Sequence, residues 1–152
     1  MGARRKGRES ALQMLYQMEA SSCSADEAIR LFWLSFPRTV TETQAGDEDN
    51  VDPNEKEGAE FANAIVRGFD DDHEKVDELI RAVSQHWRLE RMTRVDRNVL
   101  RVGTWELLRC EDIPRRVTLN ESIELAKRYG TETSAAFVNG VLDRIASDLR
   151  KD

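Results

Sequence analysis

Hydrophobic positions recur at helical spacing along most of the chain, and no stretch alternates with period two for long enough to form a strand. Residues 8–20, RESALQMLYQMEA, set Ala11, Leu12, Leu15 and Met18 on one face of an amphipathic helix that can begin as early as Arg4. A second helix is predicted from about Ala25 to Phe36. Ser24 with Glu27 three residues on forms its capping box, and Pro37 stops it. A third opens at Asp52, with Pro53 at its first position and Glu55 completing the box. It turns Phe61, Ala62, Ile65, Val66 and Phe69 inward and is expected to end near Gly68. The next segment, DDDHEKVDELIRAVSQHW, predicts a separate helix with Val76, Leu79, Ile80 and Val83 in the core and Trp87 at its close.

The stretch VDRNVLRVGTWELLRC, Val95 to Cys110, differs from these. Val95, Val99 and Val102 form one stripe, Leu100 and Leu107 lie well to one side, and Trp105 and Leu108 occupy the rest. A helix that is apolar nearly all round is a buried one, touched from more than one direction. It is expected to be a central helix shared by two groups of helices, capped by Thr93 with Asp96 three residues on. An ordinary one-faced helix with stray apolar residues is the competing reading. After Ile113-Pro114 breaks the chain, Thr118 and Glu121 are read as a further capping box. The helix it opens faces inward through Leu119, Ile123 and Ala126, with Leu125 and Tyr129 beside them, and ends at Gly130. The last helix, about Thr133 to Arg150, carries Phe137, Val138, Val141, Leu142, Ile145 and Leu149 in one arc. The expected fold class is all-α, with about seven helices.

At 152 residues the chain is long enough for one domain, or two small halves with a common core, without disulfide or metal support. Its two cysteines, Cys23 and Cys110, match neither a secreted framework nor a zinc site and are read as reduced thiols of a cytoplasmic protein. The longest apolar run, Leu31 to Phe36, falls far short of the about 18 residues a membrane span needs, so no membrane association is expected.

The net charge of −6 argues against a surface that coats nucleic acid throughout, but the charge is uneven. Residues 1–8 carry Arg4, Arg5, Lys6 and Arg8 with no acid, whereas residues 41–60 carry eight acids and Lys56 as their one cation. The region 38–52 has no periodicity and is read as a mobile, solvated acidic loop. On a helix, side chains at i and i+4 share a face, so the N-terminal arginines would form a forked basic patch. From charge alone, that patch and a solvated tail are equally good readings.

Candidate chemistry narrows the field. No nucleotide-binding fingerprint occurs, and no nucleophile has an evident base. Neither His73 nor His86 has metal-ligand spacing. The run Asp70, Asp71, Asp72, His73 is read as acids favouring a helix N-terminus rather than as a metal site. No catalytic residue, metal or cofactor is expected. Single-stranded RNA is gripped by cations on its phosphates and aromatics under its bases. The N-terminal cations supply the first; Tyr129 and Phe137 could supply the second, although each also fits a core position.

Four segments, VDELIRAVSQHWRLERM, VDRNVLRVGTWELL, IPRRVTLNESIELAKRYG and FVNGVLDRI, together with the opening ARRKGRESALQMLYQ, resemble the NusB family of bacterial transcription antitermination factors over residues 3–20 and 76–145. The resemblance implies two helical bundles set across each other and sharing the central helix, about residues 1–85 and 86–152. It implies binding of boxA RNA in ribosomal RNA transcripts as a heterodimer with NusE, a small-subunit ribosomal protein, and suppression of premature termination together with NusA, NusG and RNA polymerase. Family members differ in oligomeric state, so a homodimer is compatible with it. By resemblance Arg4, Arg5, Lys6 and Arg8 contact boxA, Tyr129 and Phe137 lie near the RNA, Tyr16 and Asp96 face NusE, and Arg101 helps hold that face. Trp105 stands where the family often has tyrosine, and Thr133 where some members carry an acid. A related helical domain precedes an RNA cytosine methyltransferase, but up to Asp152 there is no room for a cofactor-binding domain, so that activity is not expected. The competing function is a protein-binding helical scaffold whose N-terminal arginines are idle.

Overall fold

The computed structural model describes residues 2–36 and 52–149. Among them are six α-helices and one short 3-10 turn, with no strand. They are α1 (Ala3–Ser21), α2 (Ala25–Ser35), α3 (Pro53–Val83), the 3-10 turn Leu89–Arg91, α4 (Arg94–Arg109), α5 (Arg115–Tyr129) and α6 (Ser134–Leu149). No described helix is long and apolar enough to cross a membrane. Pro37 and the acidic region up to residue 51, read above as a stop signal and a mobile loop, lie outside the described residues.

The chain packs as two compact units, residues 1–67 and 68–152. The division falls inside α3, between Arg67 and Gly68. The helix that runs through both units is therefore α3, whereas α4 belongs to the second alone. The two segments expected as separate helices on either side of Gly68 are one helix of 31 residues. Gly68 is a packing glycine: a methyl group there would overlap the Trp105 indole. The acids Asp70 to Asp72 consequently sit mid-helix, not at a helix start. Asp72 instead holds Arg109 of α4 through two hydrogen bonds, 2.7 and 2.8 Å.

In the first unit, α1 buries Ala11, Leu12, Met14 and Leu15, α2 buries Ala25, Ala28 and Ile29, and the first half of α3 buries Ala59, Ala62, Ile65 and Val66. Ser24 caps α2 by accepting from the Glu27 N–H at 3.2 Å. Asp52 accepts from the Asn54 N–H at 2.9 Å at the start of α3. Both match the sequence reading. Trp33 Nε1 donates to Asn63 Oδ1 at 2.8 Å, tying α2 to α3.

In the second unit α4 is enclosed. Every residue from Asn98 to Leu107 is buried except the half-buried Arg101. Its neighbours are α5, α6 and the second half of α3, so contact from several directions is met within one unit. Thr93 caps it, accepting from the Asp96 N–H at 3.1 Å. The expected cap at Thr118 is not one. Helix α5 already starts at Arg115, and Thr118 is fully buried, donating to Glu106 Oε1 of α4 at 3.3 Å. The inward ridge of α5 is Thr118, Ser122 and Ala126 at i+4 spacing, not Leu119 and Ile123, which are half-buried. Small residues face α4 because the helices approach closely at Gly103, where a Cβ would lie 2.8 Å from Ser122 Oγ and 2.7 Å from Leu142 Cδ1. Helix α6 completes the core with Val138, Val141, Leu142 and Ile145.

Candidate nucleic-acid interface

The basic opening of the chain is helical from Ala3, so its cations have fixed directions. The first turn holds no acid and the N-cap, Gly2, offers no side-chain bond. The exposed N–H groups of a helix start carry partial positive charge, and cations there are destabilising by roughly 0.3–1 kcal/mol each at low ionic strength. Arg4, Arg5 and Lys6 therefore add cations to a helix end that already favours an anion. All three are exposed.

Arg8 is different: it is only 3 % exposed. Its guanidinium carbon lies 5.3 Å from the centroid of the Phe61 ring on α3, and that of Arg4 lies 5.5 Å from the same ring. Arg8, expected from the sequence among the RNA-contacting cations, is here an inward side chain that rests on Phe61. Arg4 leans on the ring yet remains half-exposed, with Glu57 Oε1 3.9 Å from its Nε.

Two residues that the sequence reading passed over make this arrangement. A Cβ on Gly7 would meet Gly58 O at 2.7 Å, and one on Gly58 would meet Ala3 O at 2.7 Å. Two glycines face to face let the backbones of α1 and α3 nearly touch, which brings Arg4 and Arg8 onto Phe61. The signal was present as two glycines inside helical patterns, each costing a helix about 1 kcal/mol against alanine unless packing needs it.

In the second unit Tyr129 ends α5 and is half-buried, with the Arg128 guanidinium carbon 5.8 Å from its ring centroid. Gly130 follows with φ −98°, an ordinary extended conformation. It is glycine because a Cβ would lie 2.7 Å from Ala126 O and would press on Ser134. Ser134 accepts from the Thr131 N–H at 2.9 Å, closing the turn into α6. Phe137, one turn into α6, is half-buried at the edge of the apolar arc.

Of the residues assigned to partner contact, Tyr16 is 41 % exposed on α1. Asp96 is half-buried on α4, and its Oδ1 is buried without a hydrogen-bond partner. Arg101 is turned inward: Nε and Nη2 bind Asp77 Oδ1 and Oδ2 at 2.9 and 3.0 Å, Nη1 donates to Asn98 Oδ1 at 3.2 Å, and the guanidinium lies 5.1 Å from the Phe69 ring centroid. It braces α4 against α3.

The class so defined is a small all-helical protein whose exposed chemistry is a cationic helix end. The NusB family model matches residues 5–147. The transcription antitermination protein NusB of Sorangium cellulosum is 52% identical over 98% of this chain and 95% of its own length. That of Myxococcus xanthus is 46% identical over 99% of each. Among solved structures, T. maritima NusB superposes with a TM-score of 0.76 at 38% identity, covering 97% of this chain and 94% of that one. A structure of antitermination factors NusB and NusE in complex with dsRNA shares the fold, with a TM-score of 0.76 at 23% identity over 96% and 97% of the two chains. The chain belongs to the NusB family, and the relatives it matches are transcription antitermination proteins.

Proposed function

We propose that this chain is an RNA-binding transcription antitermination factor that grips boxA-type single-stranded RNA of ribosomal RNA transcripts through the first turns of α1. The observation that carries the reading is the exposed trio Arg4, Arg5 and Lys6 at the positive end of a helix with no acid in its first turn. Phosphate would meet both the side-chain cations and the unpaired N–H groups. Tyr129 and Phe137 each offer a half-buried ring for a base in the second unit. NusE is the proposed protein partner, with Tyr16 as an exposed aromatic anchor and Asp96 as an acceptor awaiting a donor. NusA, NusG and RNA polymerase complete the proposed assembly. The family membership and the complex of a distant NusB with NusE and dsRNA support this reading.

The test is replacement of Arg4, Arg5 and Lys6 by alanine. The expected outcome is a protein that keeps its helical circular-dichroism spectrum and a cooperative melt but shows a large loss of affinity for boxA RNA. RNA affinity equal to that of the parent protein would favour the protein-binding scaffold instead.

A further inference from the structure

Beside the basic turns, within the first unit, lies a cleft of about 160 Å³. Lys6 and Ser10 of α1, Trp33 and Phe36 at the end of α2, and Asn54 and Glu55 at the start of α3 line it. Gly58 and Ala59 also line it and place little side chain there. Its aromatic wall is built and held. The Phe36 ring lies 4.9 Å from that of Phe32, which meets Trp33 edge-on at 4.7 Å. Trp33 has its N–H committed to Asn63, so what the indole offers the cleft is π surface. Phe36 is 57 % exposed, a large apolar ring left in water at the mouth of a concave site.

The lining sorts by chemistry. Aromatic rings stack on any base. Asn54 and Ser10 both donate and accept, and an ionised Glu55 carboxylate only accepts. Lys6 belongs to the cationic turn described above and stands at the same cleft, where a backbone phosphate adjoining a seated base would lie. Phosphate and base adjoin in every nucleotide of a strand, so a strand supplies an anion for Lys6 and a ring for the aromatic wall together.

We propose that this cleft receives one unstacked base of the bound single-stranded RNA, stacked on Phe36 and Trp33, with its edge read by Asn54 and Ser10. The proposal rests on the RNA reading above and adds a base pocket to it.

The experiment is an abasic scan. Each base of a short boxA RNA is removed in turn, and affinity is measured for the parent protein and for Phe36→Ala, whose ring lies exposed at a helix end and outside the core. The expected result is one position where base removal weakens binding to the parent about tenfold and costs Phe36→Ala nothing further. Asn54→Ala, an exposed position, repeats the comparison independently of the ring. Equal costs at every position in the parent and both variants overturn the proposal. So does a Phe36→Ala protein that loses NusE and keeps every abasic cost, since the occupant is then a protein side chain. Failure of the intact RNA to bind the parent protein would instead remove the RNA reading itself.

Discussion

Arg5 and Arg8 belong to one basic run, yet one is exposed and the other is 3 % exposed beneath α3. Their replacement should therefore have opposite signatures. Arg8→Ala removes a buried side chain from Phe61 and is expected to lower unfolding free energy by about 1–3 kcal/mol, read by chemical denaturation. Arg5→Ala should stay within about 0.5 kcal/mol of the parent and act on RNA affinity. Charge pattern made the basic run legible; the burial of Arg8 was not, because Phe61 is remote in sequence and reaches it only through the Gly7–Gly58 approach. A second residue-scale case is Asp72. Hydrogen bonds from Arg109, and the charge of that guanidinium, hold its carboxyl below the ordinary value of 3.8. A depressed carboxylate contributes stability that is fully present above the unfolded pKa and lost as pH falls through the folded one. Asp72→Asn should thus be less stable than the parent at neutral pH, with the gap closing below about pH 4. A gap that persists unchanged at lower pH would assign the loss to packing.

At the scale of elements, the caps were the most readable feature. Ser24, Asp52 and Thr93 each close a helix start where a side-chain oxygen precedes an apolar-periodic run. The same pattern misled at Thr118, because threonine followed three residues later by glutamate also occurs inside a helix, and there the hydroxyl turned to the buried Glu106. Gly68 misled for a related reason: a glycine ends a helix when the backbone turns left-handed, and permits one to continue when another side chain lies flat against it. Trp105 is that side chain. Gly68→Ala should accordingly destabilise by about 1–3 kcal/mol through overpacking. Gly140 on α6 has open space around its Cβ position, and Gly140→Ala should stabilise by about 0.5–1 kcal/mol. Thermal melts of the two variants, moving in opposite directions, check both.

At the scale of the molecule, the helical class and the family were legible from periodicity and from five motifs in order, and the family model and relatives agree. The division was not legible. A boundary inside one continuous helix leaves no proline, glycine-rich linker or change of period to mark it, and the chain divides at Arg67 while α3 runs on. The enclosure of α4 was read correctly from its apolar circumference. The cleft by Lys6 was invisible, since its walls come from three helices, two of which, α1 and α3, approach through the paired glycines. The burial of Arg8 also changes the whole-molecule electrostatics. Four cations on phosphate would give a salt slope near −3 on single-stranded RNA, whereas three exposed ones give about −2. The measurement that tests the central claim most directly is a titration of labelled boxA RNA, with and without purified NusE, across salt concentrations. A log–log slope of about −2 for the chain alone, with affinity raised by NusE, is the result predicted here. RNA binding that is absent, or indifferent to salt, would contradict it and leave the arginines of α1 without a phosphate to meet.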